Sequence, residues 1–222
     1  MDYAEARRIM VDRQIRTADV TDRDIIDAIG EIPREMFVPA DLRPIAYSDA
    51  DLPLTRPAPG AQQRFLVEPT VLARLAQLAE IDRDDIVLDI GCGTGYSSAF
   101  LSLLANSVVA LESDEALAET ATETLLDLDI GNAAVLTGPL EAGYPSEGPY
   151  DVILMAGSVE FVPEALLDQL KRGGRLVTIV GVGPAGMATC YCRNGGEVSR
   201  RAAFSIAAPA LPGFTKPKAF EF

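Results

Sequence analysis

Histidine is absent from this chain of 222 residues, and cysteine occurs only three times. Without histidine, zinc sites and the Ser-His or Cys-His arrangements of nucleophilic catalysis lose their usual ligand or base. Cys92, Cys190 and Cys192 form neither a disulfide framework nor a C-x-x-C pair for redox chemistry or zinc. These absences remove most hydrolase mechanisms, and we expect no metal.

Long apolar runs are also lacking. None approaches the ~20 residues that span a bilayer, and the opening residues alternate charged and apolar side chains, unlike a signal peptide. We therefore expect a soluble, cytoplasmic protein with no membrane partner. Lys and Arg number 19 against 33 Asp and Glu, which gives a formal net charge of -14. Nucleic acid needs cationic side chains and is not an expected partner, so the acidic charge is assigned to solubility.

The amino-terminal part is organised differently from the rest. Apolar residues at helical spacing predict helices over residues 4–16 and 21–32, with Thr21 as the N-cap of the second. Residues 39–59 are rich in proline and show little periodicity, which predicts an ordered loop. We therefore expect residues 1–69 to form a helical extension and loop packed on the core.

Strand and helix patterns alternate through the remainder, residues 70–222. The predicted strands are 86–90, 108–111, 133–137, 152–156 and 176–180, and the predicted helices are 97–104, 115–128 and 163–170. The segment "KRGGR", residues 171–175, is expected to end the last helix, and an antiparallel hairpin over residues 187–207 to close the sheet. This alternation predicts a doubly wound, mostly parallel α/β sheet.

A glycine-rich turn follows the first predicted strand, with the pattern D-x-G-x-G-x-G beginning at Asp89. A dinucleotide fingerprint would need Gly or Ala where Tyr96 stands. Asp89 would repel a pyrophosphate but accept a hydrogen bond from an ammonium group, and Glu112 ends the next strand, where an acidic residue accepts from ribose hydroxyls. The pair favours a positively charged nucleoside, S-adenosylmethionine. A plain tight turn and a dinucleotide site remain the alternatives.

Longer stretches of the sequence carry a family resemblance. "PREMFVP" followed by "AYSDADLPL", then "VLDIGCGTGYSSAFLS" and "GPYDVILMAGSVEFVPEALLDQLKRGGRLVTIVG", resemble the protein-L-isoaspartate O-methyltransferase family. The glycine motif is shared by many methyltransferases, whereas the first pair is much more specific to this family. The resemblance covers most of the chain. It implies a Rossmann-like class I methyltransferase fold, S-adenosylmethionine as cofactor, and methylation of isoaspartyl carboxylates in damaged proteins.

The same resemblance assigns cofactor-binding residues. These are Asp89, Gly91, Gly93, Gly95, Glu112, Gly138 and Leu140. The family has a G-D-G element after the third strand, and here Pro139 stands in place of its Asp. The side-chain contact to adenine is therefore lost at that position, and backbone groups are expected to serve instead.

The acceptor side departs from the family pattern. The family has Q-T-I-S-x-P-H-M before the first core helix, whereas this chain has "QRFLVEPTV", with Val67 at the Ser position. The catalytic residue is therefore left unassigned. We expect Arg64, Leu66 and Val67 to bind the substrate, with Arg64 as the cation for an anionic acceptor and Arg56 second. The family's closing R-F-V-P-L segment is absent, and residues 204–214 take its place.

These departures leave three functions open. Methyl transfer to a carboxylate needs no general base, because a carboxyl group with a pKa near ~4 is ionised at neutral pH. The chain is thus an isoaspartyl methyltransferase, a methyltransferase for another small-molecule or protein acceptor, or a cofactor-binding protein with little catalysis. Tyr47 and Phe37 are expected to anchor the extension by packing, and Cys92 to be a small filler in the turn.

Overall fold

The structure, a computed structural model, describes residues 2–216. A seven-stranded sheet forms its centre, and a two-stranded antiparallel ribbon is separate from the sheet. The ribbon consists of β1 (Leu52–Pro53) and β2 (Phe65–Leu66). The strands of the sheet are β3 (Ile86–Ile90), β4 (Ser107–Glu112), β5 (Ala133–Thr137), β6 (Tyr150–Val159), β7 (Leu170–Val180), β8 (Met187–Asn194) and β9 (Glu197–Ser205). The helices are α1 (Tyr3–Met10), α2 (Arg23–Glu31), α3 (Pro69–Ala79), α4 (Tyr96–Ser102), α5 (Glu115–Asp127) and α6 (Glu164–Leu167).

The strand order of the sheet is β5-β4-β3-β6-β7-β8-β9. Strands β3 to β7 pair in parallel, and the hairpin of β8 and β9 adds to β7 in antiparallel fashion. This arrangement confirms the predicted doubly wound sheet with a closing hairpin. The chain reverses its direction of travel across the sheet between β3 and β6. In such sheets ligands bind at this reversal, beyond the carboxyl ends of the strands.

Most of the predicted elements lie where the pattern placed them. Strands β3 and β5 have the predicted bounds, and β4 extends one residue further at each end. β3 is buried from Val87 to Ile90, as expected when helices cover both faces of a parallel sheet. Helix α3 begins at Pro69, which fits the first helical position because no N–H is required there.

The predicted N-cap of α2 is wrong by one residue. Asp22 caps the helix, since its carboxylate accepts from the backbone N–H groups of Asp24 and Ile25. The backbone N–H of Thr21 instead donates to the side-chain oxygen of Gln77 at 2.7 Å. Either side chain is a good cap, but the contact with α3 fixes Thr21 outside the helix.

The expectation that "KRGGR" ends a helix is also wrong. Helix α6 ends at Leu167, and β7 already begins at Leu170. Tyr150 of β6 pairs with Leu170, but Val152 pairs with Arg175, so residues 171–174 form a bulge opposite one residue of β6. Glycine serves a strand bulge as well as it serves a helix end, and the local sequence does not separate the two.

The amino-terminal extension shares its core with the sheet domain. Side chains from α1 and α2 belong to one hydrophobic cluster with α3, α4 and the central strands. The ring of Phe37 contacts the ring of Tyr96 edge to face, with centroids 5.4 Å apart. Arg34 is fully buried beside them, and its guanidinium lies 4.8 Å from the centroid of the Tyr96 ring. The extension is therefore packed directly on the helix that follows the glycine turn.

Tyr47 packs against the core cluster as expected, and its hydroxyl also joins two parts of the extension to each other. The hydroxyl donates to the Glu35 carboxylate and accepts from Arg7 Nε at 3.0 Å. Burial and the bond to Glu35 raise the pKa of the tyrosine well above its ordinary value.

Within residues 2–216, no helix has both the length and the apolar composition needed to cross a membrane.

Candidate functional site

The glycine turn between β3 and α4 lies at the reversal point of the sheet. Gly91, Gly93 and Gly95 have φ values of +79°, +59° and +93°, a region that other residues rarely adopt. The N–H of Gly91 donates to the carbonyl of Leu111 at 2.8 Å, which ties the turn to β4. Because these positions have no Cβ, another group can lie directly against this backbone.

Asp89 lies at the end of β3 and is fully buried. The hydroxyls of Ser97 and Ser98 donate to its Oδ2 atom at 2.7 and 2.6 Å, while no described group donates to Oδ1. Burial raises the pKa of Asp89 to about 6, and the two serine hydrogen bonds offset this only in part. The side chain thus offers one free acceptor oxygen in a dry environment, where a cation would be its natural partner.

Glu112 ends β4 and is also fully buried. Its Oε2 accepts from the N–H of Gly93 at 2.8 Å, and its Oε1 accepts from the N–H groups of Ser113 and Asp114 at 2.7 and 3.1 Å. Arg64 Nη1 adds a charged hydrogen bond to Oε1 at 2.5 Å. The Ser113 hydroxyl also donates to Oε1, at 3.2 Å, so the carboxylate expected to bind ribose hydroxyls is in the predicted place and already carries five donors.

The structure places Arg64 on the cofactor side of the site. Its side chain is 5% exposed, and Nη2 donates to the carbonyl of Gly91 at 3.1 Å. Both ends of the guanidinium are thus engaged by residues that the family resemblance assigns to the cofactor. Arg56, the second cation considered for the acceptor, is exposed.

The other predicted site residues surround this pair. The N–H of Gly138 donates to the carbonyl of Glu112 at 3.0 Å, and Leu140 is buried next to the turn. Leu66 and Val67 are buried and line a small cavity that reaches Gly91. The predicted cofactor and substrate residues therefore meet in one region. Burial raises the pKa of the Cys92 thiol well above its ordinary value, which fits a neutral filler.

Two leucines that the sequence analysis did not single out cover the turn. A Cβ built on Gly91 would lie 2.8 Å from Leu211 Cδ2, and one built on Gly93 would lie 2.8 Å from Leu54 Cδ1. A cavity of about 20 Å³ lies beside the turn, with Leu66, Val67 and Gly91 in its lining. Ligand pockets are usually above about 300 Å³. The polar groups of the site fit a cationic nucleoside, whereas the space for one is filled by Leu54, Arg64 and Leu211.

Neighbouring groups were missed for different reasons. Ser97 and Ser98 lie in the first helical turn of α4, directly after the glycine turn. That position was a usable indication that they contact Asp89. Leu211 is brought in by backbone hydrogen bonds between residues 209–211 and Ser158 at the end of β6. Arg34 donates to the carbonyl of Val67 at 2.6 Å, and no local pattern predicts that contact.

Comparison with known proteins decides the family. The family model described as protein-L-isoaspartate (D-aspartate) O-methyltransferase matches residues 5–207. The chain belongs to this family. A protein-L-isoaspartate O-methyltransferase of Synechococcus sp. is 37% identical over 183 residues, which cover 82% of this chain and 72% of the relative.

Solved structures agree with this assignment. A protein-L-isoaspartate O-methyltransferase with 26% identity superposes with a TM-score of 0.78, covering 94% of this chain and 65% of that chain. The present chain thus spans just under two thirds of that one. A Plasmodium falciparum protein in complex with S-adenosyl-L-homocysteine is 17% identical with a TM-score of 0.75, covers 95% of this chain and 98% of that chain, and shows the shared fold.

Proposed function

We propose that this protein is an S-adenosylmethionine-dependent O-methyltransferase that methylates the carboxylate of isoaspartyl residues in damaged proteins, in the cytoplasm. The observation that carries the proposal is the placement of two buried carboxylates, Asp89 and Glu112, at the ends of adjacent parallel strands on either side of the glycine turn. The match of the family model along almost the whole chain supports the same activity.

The cofactor, when bound, supplies a methyl group on a sulfonium centre. Glu112 is positioned to accept from its ribose hydroxyls, and the free Oδ1 of Asp89 to accept from its ammonium group. The positive φ values of the glycine turn let a ligand approach that backbone without meeting a Cβ. Gly138 and Leu140 would lie near the base, since Gly138 is hydrogen-bonded to the Glu112 carbonyl and Leu140 lies next to Gly91.

The remaining role of this chain is to align the acceptor with the methyl group and to exclude water from the site. The acceptor carboxylate is already ionised near neutral pH, so the site needs no proton-accepting side chain. Leu66 and Val67 present buried apolar surface next to the turn. Holding the acceptor in line with the methyl group lowers the barrier by several kcal/mol in general, and a dry site strengthens the attraction between carboxylate and sulfonium.

A second function is favoured by the acceptor side. Val67 is 7% exposed and Leu66 6% exposed, and both are apolar where the family pattern has a hydroxyl. An apolar wall suits an acceptor other than an isoaspartyl carboxylate, for example a small molecule. The chain would then be a methyltransferase of the same fold with a changed substrate.

The test is transfer of a labelled methyl group from S-adenosylmethionine to an isoaspartyl peptide, with the matching aspartyl peptide as control. We expect transfer to the isoaspartyl peptide alone, and Val67→Ser to raise kcat by about tenfold because one hydrogen bond to a charged group is gained. Leu66→Ser controls for the register and should not raise kcat. Cofactor binding without transfer to this peptide would instead support the second function.

A further inference from the structure

The cofactor site contains a charge that the proposed reaction does not use. We propose, on the basis of the proposed function, that Arg64 is an internal competitor of the cofactor. Its guanidinium occupies the Glu112 carboxylate to which the ribose hydroxyls bind, and it must leave that position for a nucleoside to enter. Arg64 therefore sets the affinity of this chain for its cofactor.

The geometry of the Arg64–Glu112 pair indicates that Arg64 competes with the cofactor and does not help to bind it. Arg64 Nη1 lies 2.5 Å from Glu112 Oε1, and Nη2 donates to the carbonyl of Gly91 at the glycine turn. The guanidinium thus bridges the end of β4, which carries the proposed ribose acceptor, and the start of the turn. A Cβ built on Gly91 would lie only 3.2 Å from Nη2, so the guanidinium takes the space over that glycine.

Arg64 belongs to a larger cover made of two chain segments. The residues that flank the ribbon contribute Arg64, before β2, and Leu54, after β1, whose N–H donates to the Arg64 carbonyl at 2.8 Å. The carboxyl-terminal segment contributes Leu211, and the side-chain amide of Gln62 donates to the Ala210 carbonyl to join the two segments. The cover is therefore a connected unit, and release of Arg64 from Glu112 breaks an ion pair between this unit and the end of β4.

The release leaves no bare charge behind. Glu112 keeps the N–H groups of Gly93, Ser113 and Asp114 as donors after the guanidinium departs. The ribose hydroxyls then replace the lost donor, and Arg64 regains water once its side chain turns away from the site. The exchange is thus reversible, and the free energy of the ion pair is subtracted from the free energy of cofactor binding.

The experiment is calorimetric titration of S-adenosyl-L-homocysteine into the wild type and three variants. Arg64→Met keeps the packing of the stem but removes the charged hydrogen bonds, so we expect it to bind about tenfold or more tightly than the wild type. Arg64→Lys keeps the charge but not the planar fork that reaches both Glu112 and the Gly91 carbonyl, so we expect an affinity between those of the wild type and Arg64→Met. Arg43→Met removes an exposed arginine outside the site and is the matched control.

The outcomes separate this inference from the proposed function. Glu112→Ala should weaken binding in both the wild-type and the Arg64→Met background, because it removes the ribose acceptor. If Arg64→Met binds no more tightly than the wild type while Glu112→Ala still weakens binding, the competition is overturned and the proposed function stands. If neither the wild type nor Arg64→Met binds the ligand, both are overturned.

A measurement on the unmodified protein covers the case in which Arg64→Met does not fold. In nuclear magnetic resonance spectra of ¹⁵N-arginine-labelled protein, the guanidinium protons of Arg64 should exchange slowly, because they are buried and hydrogen-bonded. The Arg64→Lys variant assigns that resonance. Saturation with S-adenosyl-L-homocysteine should abolish it, and its persistence at saturation would overturn the inference.

Discussion

Asp89 has a half-satisfied carboxylate. Its Oδ2 atom accepts from two serine hydroxyls, and its Oδ1 atom has no donor among residues 2–216. An unpaired acceptor in a dry site is costly, and the cost is smallest when the group is neutral. The pKa of about 6 expresses this balance, since burial is the largest cause of its rise. A cationic ligand at Oδ1 would reverse the balance and favour the charged form.

We predict that S-adenosyl-L-homocysteine binds up to about tenfold more tightly at about pH 7.5 than at about pH 5. Below a pKa of about 6 the Asp89 carboxyl is neutral and does not attract the ligand ammonium, and above it the carboxylate is charged. The measurement is the dissociation constant as a function of pH. Asp89→Asn should flatten this dependence, whereas Asp84→Asn, at an exposed position, should leave it unchanged. An equally steep dependence in Asp89→Asn would contradict the prediction.

How well a contact between two residues could be predicted depended on how far apart they lie along the chain. Asp89 and Glu112 were predicted as a pair because the ends of neighbouring parallel strands meet at one edge of the sheet. The contact of Arg64 with Glu112 joins residues 48 positions apart, and the ribbon that delivers Arg64 leaves no periodic pattern. Leu211 comes from still further away. The positive charge of Arg64 was visible in the sequence, but the group that its side chain contacts depends on the tertiary structure.

At the scale of elements, the bulge at the start of β7 shows how strand pairing overrides local preference. Four residues of β7 lie opposite one residue of β6, and Gly173 takes a φ of +85°. Gly174 passes so close to β6 that a Cβ would lie 2.9 Å from the carbonyl oxygen of Tyr150 and 3.1 Å from that of Asp151. These oxygens belong to backbone and cannot move aside cheaply.

We predict that Gly174→Ala lowers the free energy of unfolding by about 2 kcal/mol, because the new methyl group forces the backbone of the bulge apart. Gly196→Ala, in the open turn of the β8–β9 hairpin, has no atom within 4 Å of the new Cβ and should change stability by less than about 1 kcal/mol. Urea unfolding at neutral pH measures both. Equal effects of the two substitutions would contradict the role assigned to the bulge.

Element bounds were predictable where the pattern was local. β3 and β5 are short apolar runs with turn residues on both sides, and both were placed correctly. α6 was predicted over eight residues but is four residues long, because β7 begins early to pair with β6. The extra length of β6 and β7 depends on partners in other strands, which a sequence pattern does not report.

At the scale of the whole molecule, the net charge of -14 acts on every approaching solute. An isoaspartyl peptide with further acidic residues is repelled before it reaches the site, whereas a peptide with lysines is attracted. Salt screens this field over about 8 Å at physiological ionic strength. Substrate choice among damaged proteins should therefore depend on the charge around the isoaspartyl residue.

We predict opposite salt effects on KM for two isoaspartyl peptides. Raising sodium chloride from about 20 to about 200 mM should lower KM for an acidic peptide and raise it for a basic one, each by about two- to fivefold. The measurement is steady-state methylation with saturating cofactor, and an uncharged peptide is the control. A shift of KM in the same direction for both charged peptides would show that the salt acts on the enzyme and not on the encounter.

The class of fold followed from the sequence because alternation of buried strands and helices has few solutions. The seven-stranded order and the closing hairpin were consistent with that expectation. The sequence pattern did not predict the cover over the glycine turn. The cover is built from two short segments without repetitive structure, and their meeting point depends on the finished sheet.

Arg34 has a consequence for the integrity of the molecule. Its guanidinium donates to the carbonyls of Ala46 and Val67 and lies over the ring of Tyr96. Removal of the segment that carries Arg34 would leave the Val67 carbonyl without this donor, and the backbone next to the acceptor wall would lose that support. The protein should therefore unfold in a single cooperative transition, and a version trimmed of its amino terminus should leave no catalytic core that is stable by itself.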